Sequence, residues 1–301
     1  MFLLLIPMIL AFAIESLLWK KNKLKPLASL IGNAFWRFVF VVGVFLIFFA
    51  VTGVSVFDNL TWRIVGFIFL LHVFGVSAVM LMVKIMQNMC VSIADPLTLF
   101  RIVPLTILSW LIFGGGLTYQ EIILVVLIVA FCSALGFFQG RHEAKLKKQC
   151  CTPQGDFKKG VLYLLLWSVC VVIMDLIINY MSYTGLHPIT FSALRAVTFL
   201  MAASAVFLIF KRGNRVRTIL TAIKNRTMII IGAIFAIHSI LFITLLSYIE
   251  NVGILIAIGV ASVPIVVLCG TLFMREKLKW YSFAFIGLII ACVVLLTIIT
   301  T

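Results

Sequence analysis

The sequence predicts an all-α integral membrane protein with ten transmembrane helices, built as two inverted five-helix repeats. Three observations lead there. Of 301 residues, 64% are hydrophobic and only 11% charged, whereas a soluble domain carries about 25% charged residues. The apolar residues are gathered into about ten long runs instead of being spread through the chain. Residues that are rare in hydrocarbon recur in both halves at a nearly constant offset.

The runs lie near residues 2–18, 28–51, 62–83, 89–113, 119–138, 160–181, 189–210, 228–249, 252–273 and 281–299. Most contain the roughly 20 residues that a helix rising about 1.5 Å per residue needs to cross about 30 Å of hydrocarbon. The first run, short and followed by lysines, also suits an uncleaved signal anchor. No small-residue cleavage site follows it, so it is read as a span. The runs are continuously apolar instead of alternating, which argues against a β-barrel.

The net charge of +15 would point to nucleic acid in a soluble protein. Here its placement points to the membrane, and no nucleic-acid partner is expected. Lys20, Lys21, Lys23 and Lys25 follow the first run and Lys84 ends the third. Arg141 to Lys159 supplies six basic residues, Lys211 to Arg226 another six, and Arg275, Lys277 and Lys279 the last three. Thus 20 of 24 basic residues fall in odd-numbered links, against Arg63 alone in the even ones. By the positive-inside rule the odd links are cytoplasmic and both termini lie outside. Seven cysteines show no metal or disulfide spacing, and the adjacent Cys150 and Cys151 fall in a link on the reducing side.

The repeat is clearest where I64-V-G-F-I-F-L-L-H72 matches I230-I-G-A-I-F-A-I-H238 at five of nine positions. Glu15 matches Asp175 at an offset of 160, Arg37 matches Arg195 at 158, and Pro104 matches Pro264 at 160. The chain therefore divides into residues 1–140 and 160–301, joined by a basic cytoplasmic linker, 141–159. Five spans per half is an odd number, so the second half enters the bilayer inverted. Such repeats let two halves exchange roles around a central site.

This pattern resembles the drug/metabolite transporter superfamily, in particular its ten-helix EamA-like branch. The resemblance covers nearly the whole chain. It is best marked in S262-V-P-I-V-V-L-C-G-T-L-F-M-R-E-K-L-K279 with G287-L-I-I-A-C, and in P104-L-T-I-L-S-W-L-I-F-G-G-G-L-T118, where glycine replaces the acidic residue of the turn. The arginines of N33-A-F-W-R37 and S192-A-L-R195 also look like those of the family's second and seventh helices. The family usually has both termini in the cytoplasm, opposite to the charge reading. A11-F-A-I-E15 resembles the first helix of small multidrug exporters, and that resemblance implies a glutamate that binds protons or cationic drug.

Ionisable groups in hydrocarbon cost about 2.5–3.5 kcal/mol each on insertion scales, so each is a functional candidate. His72 and His238 lie about ten residues into their spans, near mid-bilayer by helical rise. An imidazole there binds a substrate group, exchanges a proton, or serves as packing glue between helices. Glu15 and Asp175 are candidate coupling acids, with Asp175 favoured because it sits deeper in its span. Arg37 and Arg195 can clamp a carboxylate or phosphate, or pair with the acids. Asp95 and Arg101 share the fourth run, and Arg101 has Ala261 where the repeat would place its twin. A charge that breaks the repeat is the better specificity candidate. Pro96, Pro104 and Pro264 each remove a backbone donor and are expected to kink their helices. Glu276 reads as a cap or ion pair at a span end, and Asp58 and Glu250 as loop charges. Tyr163, Trp167, Tyr180 and Tyr183 read as interfacial anchors.

The expected function is secondary active transport of a small polar or amphipathic metabolite, an amino acid or another zwitterion or organic anion, with protons as candidate coupling ions. No GxxxxGK[ST] motif is present to drive it with ATP. No enzyme activity, cofactor or metal is expected, and two fused halves can work as a monomer or homodimer. The alternatives are a membrane-embedded haem or redox enzyme with His72 and His238 as axial ligands, and a non-transporting scaffold.

Overall fold

Long apolar runs flanked by capping residues become helices. In the computed structural model the chain has an all-α, multi-pass membrane fold, with no strand among the described residues. The structure describes residues 2–53, 59–89, 94, 97–114, 117–146, 157–211, 213–249, 251–274 and 280–300. Asp58, Asp95, Pro96, Glu250 and Glu276 lie outside that set, as do Cys90, Cys150 and Cys151. The other four cysteines, Cys132, Cys170, Cys269 and Cys292, form no disulfide among the described residues.

The helices are α1 (Phe2–Lys21), α2 (Pro26–Thr52), α3 (Trp62–Asn88), α4 (Ile102–Phe113, preceded by a 3-10 turn Leu99–Arg101), α5 (Tyr119–Leu146) and α6 (Phe157–Ser182). They continue as α7 (Pro188–Phe210), α8 (Arg215–Ile223), α9 (Arg226–Leu246), α10 (Val252–Gly259), α11 (Ser262–Met274) and α12 (Trp280–Thr300). Eight stretches among the described residues are long and apolar enough to cross a bilayer, Val252–Cys269 running through both α10 and α11. Leu3–Trp19 and Leu99–Phe113 are apolar but shorter.

Local chemistry sets the starts. Pro26 and Pro188 occupy the first turns of α2 and α7, where a missing N–H costs nothing. Thr118 and Glu121 form a capping box at α5. The Glu121 Oε2 accepts from the Thr118 N–H and hydroxyl, both at 2.8 Å, and the Glu121 N–H donates to Thr118 Oγ1 at 3.3 Å. Asn251 caps α10 by accepting from the N–H groups of Gly253 and Ile254 at 2.9 and 3.3 Å. Its Nδ2 also reaches the Thr106 carbonyl on α4 at 3.5 Å. At this crossing a side chain on Gly253 would meet the Thr106 Cα at 2.6 Å, a backbone approach that small residues permit. Asn251→Ala is expected to lose about 0.5–2 kcal/mol, readable as a lowered midpoint of thermal unfolding in detergent.

Pro104 and Pro264 are each the third residue of a helix, α4 or α11, and the N–H that each lacks would reach back four residues, to Phe100 or Val260. The breaks come just before them. Ahead of Pro104 the chain makes the 3-10 turn. Ahead of Pro264 the ladder tightens to short bonds, with the Val263 N–H donating to the Val260 carbonyl at 2.9 Å and the Ala261 N–H to the Ile258 carbonyl at 3.2 Å. One expectation needs correction: α8 stands where the sequence reads as a basic link. Asn214 caps it by accepting from the Arg217 N–H at 3.0 Å. Ala222 is buried, Ile219 packs beside it, and the Trp36 indole of α2 donates to the Ile223 carbonyl at 2.8 Å.

The most extensive packing is between α3 and α6, followed by α2 with α9, α5 with α12, α2 with α7, α1 with α9, and α3 with α7. The α4 helix packs on α10 and α6, and α1 on α11. Outward faces remain apolar and exposed, as at Ile47, Leu111, Leu165, Ile209 and Ile298, a pattern suited to lipid and not to water.

Candidate functional site

The helix breaks open onto a cavity of about 220 Å³ inside the bundle. Thr98, Leu99 and Arg101 wall it at the first break, and Gly259, Val260, Ser262 and Val263 at the second. Most of the remaining wall comes from α1, α2, α3, α6, α7 and α9. Glu15, Arg37, His72, Arg101, Arg195 and His238 all line it. Asp175 is held against Arg101, its Oδ2 at 3.4 Å from Nη1. Residues spread over more than 220 positions of sequence thus meet in one chamber.

The two halves treat their acids differently. Glu15 Oε2 lies 3.4 Å from Nδ1 of His238, and its Oε1 accepts from the Trp19 indole at 3.2 Å. His238 is boxed by rings, with Phe12 at 3.9 Å and Phe235 and Phe242 near 6 Å, both edge-on. Asp175, at an offset of 160 from Glu15, faces Arg101 and not a histidine. Arg101 in turn sits over the Trp167 ring at 4.8 Å.

His72 is turned to other partners. Its Nδ1 lies 2.7 Å from the Ile68 carbonyl and 2.8 Å from Thr198 Oγ1. The Thr198 hydroxyl donates to the Leu194 carbonyl at 2.7 Å, and a carbonyl can only accept. The proton therefore belongs on Nδ1, which leaves Nε2 of the neutral ring as an acceptor. Among the described residues Nε2 has no hydrogen-bond partner.

Arg37 and Arg195 are both buried at 5% exposure. Arg37 stacks on Phe235 at 3.7 Å and on Phe199 at 5.0 Å, and Arg195 lies near Phe191 at 5.5 Å. The two guanidinium groups are within electrostatic reach of one another, as are Arg37 and Glu15. Asp175 is within reach of Arg195, Arg101 and His238. The cavity therefore holds one continuous charge network.

Sequence reasoning missed the neutral half of the wall. Asn33, Trp19 and Phe199 lie four residues from Arg37, Glu15 and Arg195, and Phe235 lies three from His238. That is the spacing of one helix face, so the charged candidates could have located them. Trp167, expected as an interfacial anchor, is a buried cavity wall; Tyr180 and Tyr183 are exposed, and Tyr163 lies under the Lys84 ammonium at 5.1 Å. No group of three or more His, Cys, Asp or Glu suited to a metal occurs among the described residues.

No family model matches the chain and no curated protein matches it. Among solved structures, 26 chains match. One, described only as "Crystal structure of protein", superposes with a TM-score of 0.63 at 10% identity, over 99% of this chain and 97% of that one. At that identity the likeness shows a shared fold and nothing about chemistry.

Proposed function

We propose that the chain is a secondary active transporter of the drug/metabolite transporter type, EamA-like, with ten spans in two inverted repeats, 1–140 and 160–301. Basic links, including the linker 141–159, face the cytoplasm. It carries a small polar or amphipathic metabolite, a zwitterion or organic anion, by alternating access. The observation that carries this reading is the chamber at two helix breaks, walled by ionisable residues from both halves. Substrate sites of inverted-repeat transporters lie at such breaks.

The packing supports the repeat. Matching α1 with α6, α2 with α7, α3 with α9, α4 with α11 and α5 with α12 turns the α3–α6 contact into α9–α1. It likewise turns α2–α9 into α7–α3 and α4–α6 into α11–α1, while α2–α7 and α5–α12 map onto themselves. Pro104 and Pro264 begin the matched helices α4 and α11. A two-fold exchange of this kind is what lets one closed gate be traded for another.

The Glu15–His238 contact favours proton coupling. A carboxylate facing an imidazole can pass a proton across the contact, whereas Asp175 faces the guanidinium of Arg101, which has no acceptor. In proteoliposomes, uptake of labelled amino acids or organic acids is expected to follow an imposed pH gradient, and Glu15→Gln to make the remaining flux indifferent to it. Flux that ignores the gradient in the wild-type protein removes the coupling. Absence of flux for every solute tested in folded protein removes the transporter reading.

A further inference from the structure

Arg37 and Arg195 approach each other in the cavity wall without a carboxylate shared between them. Their neighbours are rings: Phe199, one turn beyond Arg195 on α7, lies under Arg37, and Phe235 covers it from α9. Among the described residues nothing accepts a hydrogen bond from Nε or Nη2 of Arg37, or from Nε of Arg195. Ring stacking does not meet that need. A π face contacts the flat side of a guanidinium, while the N–H bonds point outward in its plane. The stack fixes the orientation of Arg37 and leaves its edge donors unsatisfied.

Two buried like charges with unmet donors are costly. A cation–π contact returns less than the cost of taking a charged group out of water. An anion in the chamber would remove both defects together, by taking planar pairs of N–H donors and by screening the mutual repulsion. Asn33, one turn before Arg37 on the same face, also lines the chamber; its unpartnered Oδ1 would accept from a donor elsewhere on the guest. The chamber wall also carries aromatic rings, including Phe12, Trp167 and Phe235.

We infer that the chamber binds an amphipathic organic anion, its carboxylate or phosphate held by Arg37 and Arg195 and its apolar body lying against the surrounding rings. The inference rests on the transporter reading only for what happens after binding. It assigns the site a charge preference and an orientation: the acidic end toward α2 and α7, the apolar end toward α1, α6 and α9. Glu15 and Asp175 make their close contacts with His238 and Arg101 and reach Arg37 and Arg195 only through space, so the unmet N–H donors of the two arginines stay open to a guest.

The test uses full-length protein in detergent, titrated with probes of one shape and different charge: phenylacetate, phenyl phosphate, phenylacetamide and phenethylammonium, with inorganic phosphate as the probe lacking an apolar body. An acid that binds raises the unfolding midpoint by mass action. The two organic anions are expected to bind well above the amide and the ammonium, and inorganic phosphate more weakly than phenyl phosphate. Arg37→Gln and Arg195→Gln are each expected to weaken anion binding about tenfold to a hundredfold. Arg37→Lys keeps the charge without the planar fork and should fall between. It is the informative variant if the glutamine forms do not fold. Binding of the amide or ammonium as tight as the acids overturns the inference, as does binding of neither organic anion, or affinity unchanged in folded Arg37→Lys and Arg195→Lys. Equal affinity for inorganic and phenyl phosphate overturns the apolar seat. Flux separates the two readings. Anions bound but never carried across proteoliposomes leave this site standing and remove transport, whereas transport of a cation independent of both arginines does the reverse.

Discussion

Gly232→Val is expected to lose the fit between α9 and α2 and with it the position of Arg37. A side-chain carbon at Gly232 would lie 2.5 Å from the Trp36 Cβ, 2.8 Å from the Trp36 carbonyl carbon and 3.0 Å from the Arg37 amide nitrogen. Two of those three atoms are backbone, so no rotamer change relieves the clash and the helices must part. Overpacking that side chains can absorb costs about 1–3 kcal/mol; this one belongs at or above the top of that range. The matching glycine in the first half is the control. Around Gly66 there is nothing within 4 Å of the same position, so Gly66→Ala is expected to be neutral, or to gain up to about 1 kcal/mol of helix propensity. Thermal unfolding in detergent reads both. Equal losses at the two glycines would mean that α2 and α9 do not cross as described.

Asp175→Ala should rank beside it. The mutation leaves Arg101 without its carboxylate and deprives Arg195 of its nearby negative charge. Removing one member of a buried pair costs about 3–5 kcal/mol, because the surviving charge stays buried, whereas replacing both by apolar residues is often far milder. The double variant Asp175→Leu with Arg101→Met should therefore unfold at a higher temperature than Asp175→Leu alone. A double-mutant cycle in detergent measures the coupling, and simple additivity would show that the 3.4 Å contact contributes nothing. Asp175→Asn removes the charge at nearly constant shape; under the proposed function, flux in proteoliposomes is expected to be lost while the folded protein remains.

Much of this was legible in the sequence, for a physical reason. A membrane span is a local property, length times hydropathy, so the long helices follow from composition alone. A charge in hydrocarbon demands a cavity or a partner, so Arg37, His72, Arg195 and His238 could be singled out without knowing what they touch. Partners were not legible. That Asp175 meets Arg101 across 74 positions of chain, and not a histidine, depends on how α4, α6 and the 3-10 turn pack. A proline's missing donor marks either a bend or a beginning, so the place where the ladder tightens around Val260 was not legible. Helix α8 was hidden because its nine residues are too few and too basic to stand out as an apolar run. Trp167 was taken for an anchor because an indole near a span end suits both a lipid interface and an internal wall, and its burial decides.

The imidazole of His72 has a consequence for selectivity that differs from its neighbours' contribution. With one nitrogen committed to Ile68 and Thr198, the other edge offers only a lone pair. A solute resting there is received if it brings an O–H or N–H and refused if it brings a second lone pair. Guanidinium groups ask for electron density and this ring asks for a proton, so a guest suited to both must carry opposite polarities a few ångströms apart.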